Sequence, residues 1–462
     1  MMIHGLGFLS LSASLVLPWA LTGLVQGEKI TESLVKDVRQ SSTDQEMPLP
    51  SRKLISQVST ATTYYVSGTG NDKNSGLSTS SPFRTIQRAA NLTGPGDTVF
   101  IMNGEYKNVG QSGSALYIKR SGKANAWIRY KAYPGHFPKI RHNVWSGIDL
   151  SKGVSYIEIN GLEIIGNNAN ITLAYALSQK SNTSNPLTNG SCINIDGRKG
   201  PVHHINILNN KVHDCGSAGI SVISADYVKV DNNTVYNNAW YSVYGCSGIS
   251  FLKNWNSDDN RGYKMFATNN RVYNNRMYVP WISVGKITDG NGIIVDNLKQ
   301  GKNGPYKGRT LVANNITYKN GGSGIHAHDS EHVDIVNNTA YLNQQSPELK
   351  KGQIYAGYSN DVKIFNNIVY GSAGKNANSN VKNTNVIYDY NLYPKGVVIA
   401  VMGPHDIIAD PQFVNTSIAD FRVKATSQAI DSGYYWKDLK TDYAGNPRPA
   451  GSGYDRGAFE IK

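Results

Sequence analysis

Between residues 205 and 370, apolar and polar positions alternate in short runs, and the runs recur. HVDIVNNTAY (332–341) is representative: Val, Ile and Tyr alternate with polar residues until an Asn-Asn pair interrupts them. A period of two predicts half-buried strands broken by turns, not amphipathic helices. The Asn-Asn phrase returns as NNKVHDC from Asn209, NNTVYNN from Asn232, NNRVYNN from Asn269, NNITYKN from Asn314, NNTAYLN from Asn337 and NNIVYGS from Asn366. The intervals are 23, 37, 45, 23 and 29 residues, as if a unit of 23 carried inserted loops. A second phrase keeps step with it: GSAGISV (216–222), GCSGISF (245–251), DGNGIIV (289–295) and GSGIHAH (322–328). Repeats of this length mean a stack of like units. Asn tolerates left-handed backbone at a turn, and repeated coil after coil it can form an amide ladder. The pattern predicts an all-β parallel β-helix, each rung three short strands that bury their inward side chains against neighbouring rungs. Its flat outer face suits a long polymeric ligand.

Aligning the Gly-Ile steps stacks Ile193, Ile220, Ile249, Ile293 and Ile325 as one inward column. The next, outward column is Asn194, Ser221, Ser250, Ile294 and His326. Two residues on come Asp196, Ile223, Leu252, Asp296 and His328. With rungs about 4.8 Å apart, Asp296 is expected beside His328. Titratable residues gather in the 289–329 rungs and are sparse in the 216–224 rung, as expected of a site grafted on a repeating scaffold.

Composition narrows the partner. The chain has 462 residues and a formal charge of +13, which favours nucleic acid, anionic membrane or acidic polysaccharide. Residues 1–27 read as a signal peptide, with an apolar run ending in Val25-Gln26-Gly27. Pro18 and the shortness of the run argue against a membrane anchor. Export sets nucleic acid aside. The expectation is a secreted monomer: 28–60 a linker or pro-segment, 61–462 one domain, with an N-terminal cap (61–106), rungs (107–400) and an irregular C-terminal cap (401–462). A short helix with Ile86, Ala89 and Ala90 on one face would cover the open end of the core. Region 168–191 reads as loop. Cys192, Cys215 and Cys246 all lie in the repeat and read as core packing, with at most one disulfide.

The stretch YYVSGTGNDKNSGLSTSSPFRTIQRAANLTGPGDTVFIMNGEY (64–106) resembles the N-terminal cap of secreted right-handed β-helix enzymes, notably the family 9 polysaccharide lyases (pectate lyases). DPQF (410–413), DYAGNPRP (442–449) and DRGAFE (455–460) are similar to the tails of such proteins. The resemblance implies a right-handed helix and β-elimination on a polyuronate. Asn256-Ser257-Asp258-Asp259 is similar to half of the family's Ca²⁺ motif, but the Asp that follows there is missing. Gly290-Asn291-Gly292 opens a motif similar to GNGFK, but Ile294 stands in the lysine slot. GIHAHDSEHVDIVNNTAY (324–341) resembles the His-Asp rung of alginate C5-epimerases, which implies that His328 takes the C5 proton.

β-Elimination needs a cation to neutralise the C6 carboxylate, a base for the C5 proton and an acid for the leaving oxygen. The candidate bases are His328, His326 and Lys286. Lys253, Lys264, Trp281 and Arg309, on or beside the inserts 253–268 and 297–310, are expected to hold the acidic sugars. Asp289, Asp296, Asp258 and Asp259 are the candidate ligands for Ca²⁺, and Asp296 could also fix a histidine tautomer. An epimerase shares the first step, and a non-catalytic glycan-binding solenoid shares the surface. Hydrolysis would need a close carboxyl pair, for which Asp289 and Asp296 are available.

Overall fold

The computed structural model describes residues 61–108 and 113–462. The expected signal peptide and the linker to residue 60 lie outside them. Three long parallel sheets run side by side, two of eleven strands and one of nine. One turn of the chain visits each in order. Ser191–Asp196 lies in the nine-stranded sheet, here the second sheet. Val202–Leu208 follows in the first sheet and Lys211–His213 in the third, and Ile220–Ile223 reopens the second. This is the all-β parallel β-helix that the repeat predicts, with the right hand that the family resemblance implies.

The register is the one expected. Ile193, Ile220, Ile249, Ile293 and Ile325 pair in succession, and all are fully buried. The two residues of the Asn-Asn phrase divide the labour. The first is left-handed at every copy, with φ between 54° and 58° from Asn209 to Asn366. The second points inward. The backbone N–H of Asn210 donates to Asn233 Oδ1, Asn233 to Asn270, Asn270 to Asn315, Asn315 to Asn338 and Asn338 to Asn367, all at 2.9–3.0 Å. Buried turn amides are thus satisfied by a ladder rather than by water. A second ladder joins Asn238, Asn275, Asn320 and Asn343.

The ends differ from simple caps. Ile86–Ala90 is helical, N-capped by the Thr85 side chain, with Ile86, Ala89 and Ala90 buried. Its Gln87 accepts from Tyr117 N–H at 2.9 Å and donates to Tyr117 C=O at 3.0 Å, so a side chain occupies the open edge of the second sheet. Thr63–Val66 and Thr98–Ile101, within the expected cap, already pair as strands of the first sheet. The C-terminal tail runs back along the outside of the solenoid. Outer asparagines hold it: Asn314 donates to Thr441 C=O and Asn337 to Asp455 C=O at 2.7 Å, and Asn366 to Tyr434 C=O at 2.8 Å. Region 168–191, expected as loop, contains the short helices Leu173–Ser178 and Pro186–Asn189, capped by Thr172 and Asn185. Cys192 and Cys215, one rung apart and inward, form a disulfide. The core-packing expectation therefore describes Cys246, which is free and buried and whose thiol burial pushes up to about 12. Among the described residues no helix is long and apolar enough to cross a membrane.

Candidate active site

The outer face of the second sheet lies between two walls. One wall is the pair of segments 237–248 and 274–292, which enter its strands from the third sheet. The other is the pair of inserts that leave toward the first sheet after Leu252 and after Asp296. Asn256 and Asn303 zip these inserts together. Asn256 N–H donates to Asn303 Oδ1 at 3.0 Å, and Asn303 Nδ2 donates back to Asn256 C=O at 2.9 Å. Lys302 Nζ reaches back to Gly197 C=O at 2.6 Å, and Lys299 Nζ reaches forward to Tyr358 C=O. The second insert therefore follows the sheet edge across several rungs.

On the floor, Ile294 pairs with His326 and Asp296 with His328. Two residues apart on the single strand Ile325–His328, the two imidazoles lie on one face with ring centroids 5.4 Å apart. One rung on, His326 meets Tyr355: the rings stack at 4.0 Å, and Tyr355 Oη lies 3.2 Å from His326 Nδ1. His328 instead meets Gly357. With no side chain there, the imidazole faces an open notch, bordered by the exposed ring of Tyr358 at 5.4 Å.

The electrostatics follow from burial without partners. His326 is buried and its Nε2 has no hydrogen-bond partner; burial, then neighbouring His328, holds its pKa well below the ordinary value. Burial also lowers His328, partly opposed by Asp329 and Asp289. Both imidazoles are therefore neutral near pH 7 and able to accept a proton. Asp296 Oδ1 is buried and unpartnered, and burial pushes that carboxyl up to about 6. Burial likewise raises Asp289 to about 6, although Thr288 Oγ1 donates to it at 2.7 Å. Asp289 packs with Trp281 over Gly245, where a Cβ would come within 2.8 Å of Asp289 Oδ2 and 3.1 Å of the indole. The absence of a side chain at Gly245 lets the loop close onto the floor.

The expected residues divide into two groups. Asp289, Asp296, His326 and His328 converge, with Trp281 at one wall and exposed Lys253 directly after Leu252 at the other. Lys264 and Arg309, expected to meet substrate, are instead spent inside the first sheet's corner. Lys264 is fully buried, with Nζ 2.6 Å from Asp226 and 2.8 Å from Asp258. Arg309 grips Asp334 and Asp361, each at 2.7 Å. Both are long side chains near the end of an insert, and the sequence does not distinguish a cation facing solvent from one facing an internal carboxylate. Lys286 lies exposed on a hairpin turn closed by Trp281 N–H donating to Lys286 C=O at 3.0 Å; the turn does not fold back onto the floor.

The four carboxylates expected for Ca²⁺ do not converge either. Asp258 is held by Lys264 and by Tyr227 Oη at 2.7 Å, Asp259 by Lys307, Asp289 lies on the wall segment 274–292, and only Asp296 lies on the second sheet. Ca²⁺ takes six to eight oxygens. Among the described residues, the sole cluster of three metal-ligating side chains is His142 with the disulfide pair Cys192 and Cys215. The residues present do not fit a calcium cage.

Sequence reasoning missed Tyr355 and Tyr358. QIYAGYS (353–359) is one more rung, but Gln353 stands where the Gly of the Gly-Ile step is expected, the step by which the others were aligned. The inward Ile354, one rung after Ile325, is the signal that would have found it.

The comparisons agree with this architecture. The family described as "Pel9A-like, right handed beta helix region" matches residues 64–360. Among solved structures, pectate lyase Pel9A is similar over 88% of this chain and 98% of its own, with 17% identity and a TM-score of 0.54. A rhamnogalacturonan lyase is similar over 84% and 99%, with 14% identity and a TM-score of 0.44. The A-module of an Azotobacter vinelandii mannuronan C-5 epimerase, AlgE4, is similar over 70% and 90%, with 16% identity and a TM-score of 0.31. No curated protein matches the chain in sequence.

Proposed function

The chain belongs to the Pel9A-like right-handed β-helix family, and on that premise we propose that it is a secreted lyase that cleaves pectate or a related polyuronate by β-elimination. The observation that carries the reading is His328, a neutral imidazole facing Gly357 and paired across the strands with Asp296, whose Oδ1 is buried without a partner. A polyuronate lying along the second sheet would present its C5 proton to His328. Abstraction leaves a carbanion stabilised by the C6 carboxylate, and that carboxylate needs a neighbouring positive charge. Lys253 is in place at the wall, and Lys299 and Lys351 are close enough to act on the histidines. Asp296, once ionised, orients His328 and stabilises its protonated form. Asp289, with a carboxyl near 6, would carry the proton for the leaving O4. The electron pair of the C5–H bond becomes the C4–C5 double bond as the C4–O bond breaks.

No step in this route passes through a metal. Turnover is expected to survive EDTA, and a strict requirement for added Ca²⁺ would contradict the route. The deciding assay is incubation with polygalacturonate and with alginate, following the ultraviolet absorbance of the unsaturated product. Turnover that generates no unsaturation removes the lyase. Epimerised uronate in its place would mean that the carbanion is reprotonated, since an epimerase shares the first step.

A second reading has one observation in its favour: Asp289 and Asp296 are both raised to about 6, and the Asp296 charge contributes to the rise at Asp289. A carboxyl pair of that kind serves glycoside hydrolysis. New reducing ends without unsaturation would select it.

A further inference from the structure

We propose a distal subsite for the acidic polysaccharide, centred on Tyr117, Lys119 and Lys152 in a cleft at the N-terminal end of the second sheet; it rests on the polyuronate reading above. The cleft measures about 930 Å³ and lies between the helix Ile86–Ala90 and the first rungs. It is lined by Arg84, Lys107, Lys119 and Lys152 against Glu105 and Asp149. Lys107 is spent on Glu105 at 3.2 Å, and Glu105 also holds Arg141. Arg84, Lys119 and Lys152 make no ion pair among the described residues. Lys119 Nζ stands 4.9 Å and Lys152 Nζ 5.9 Å from the centre of the Tyr117 ring. Two unpaired ammonium groups beside one half-buried aromatic ring match a sugar that carries a carboxylate: the ring takes the apolar face and the cations take the charge.

The cleft is on the histidine strip. Strand pairing runs His328 to Asp296, Leu252, Ile223, Asp196 and Ser151, and Ser151 lines the cleft. Five steps of about 4.8 Å make roughly 24 Å. Between the two places the outward side chains are flat and uncharged, Ser221, Ser250, Ile223 and Leu252. The exceptions are Asp296, next to His328, and Asp196, which Arg198 neutralises at 2.7 Å. A polyanion can therefore lie along the strip with one segment at His328 and another on Tyr117. A second attachment on one chain raises apparent affinity for long substrates without changing the chemistry.

The test is the double variant Lys119→Glu/Lys152→Glu, assayed on long polygalacturonate and on short oligogalacturonides. The long substrate should lose on the order of tenfold in kcat/KM through KM, while kcat and the short substrates are unchanged. A long-chain preference equal to wild type overturns the subsite and leaves the lyase standing. Should no polyuronate be turned over at all, affinity electrophoresis through polygalacturonate still decides the subsite. Wild type and His328→Ala should be retarded alike and the double variant should be retarded less. Absence of wild-type retardation, or equal retardation of the double variant, overturns it.

Discussion

Lys264 and Asp296 stand near the same corner of the solenoid, on opposite sides of the inserts, and burial has opposite meanings for them. On the first-sheet side every buried charge meets its opposite. Burial works to lower the Lys264 pKa, but Asp226 and Asp258 outweigh it and hold the ammonium charged. Tyr306 Oη, itself buried, donates to Asp226 at 2.6 Å, and Ser257 donates to the same carboxylate from N–H and Oγ. This network anchors both inserts. On the second-sheet side two buried atoms of titratable groups, Asp296 Oδ1 and His326 Nε2, have no partner. Saturated burial builds structure, whereas unsaturated burial leaves groups whose protonation is free to change.

The largest effect separating the two sides should come from His328→Ala. If His328 is the base, turnover falls about 10²- to 10⁴-fold, while the melting temperature stays near that of wild type, because the side chain borders an open notch. A variant that keeps its turnover would move the base elsewhere, with His326 next to be tested. Lys264→Met should do the reverse. It leaves Asp226 buried and unpaired, which costs about 3–5 kcal/mol, read by urea unfolding. Adding Asp226→Asn should recover part of that loss by removing the orphaned charge. Unchanged stability in Lys264→Met would show that the network is not the foundation of the inserts.

Asp289→Asn should have a smaller effect with a defined pH dependence. The folded-state carboxyl, near 6, is above its unfolded value, so the native state binds the extra proton. Its penalty is therefore absent below about pH 4, grows as pH rises through about 6, and is complete above. The variant should match wild type near pH 4 and exceed it by about 1–2 kcal/mol at pH 7.5, a figure discounted for solvent screening. Turnover should fall at the same time, a stability–activity trade-off. Equal stability difference at both pH values would mean that Asp289 is ionised without cost.

The scaffold was legible because its causes are local and repeated. A left-handed Asn followed by a ladder Asn, and an Ile at one fixed offset, specify register without tertiary information. The pairing of Asp296 with His328 followed from the same offset. Lys264 and Arg309 were not legible, because the inserts break the period and the direction of a long cation depends on carboxylates such as Asp226 and Asp334, 38 and 25 residues away in the sequence. The disulfide was half legible: Cys192 and Cys215 are 23 residues apart, one rung, but spacing alone does not separate two stacked thiols from a bond. Tyr355 was lost with its rung's missing Gly-Ile step.

Lys286 gives the smallest predicted effect and the cleanest check on where the site ends. The sequence placed it in reach of the strip provided that its loop folded back. Its backbone instead closes a turn with Trp281, and its side chain is exposed. A base at that place would remain hydrated and away from the floor. Lys286→Ala should therefore leave stability within about 0.5 kcal/mol, and turnover should stay within about twofold of wild type, since no transition-state contact is lost. A hundredfold loss in kcat with normal folding would mean that the 281–286 turn closes over the strip when substrate is bound. The second-sheet site would then depend on a cation brought by loop motion, and the contrast with the first-sheet side would rest on two conformations instead of one.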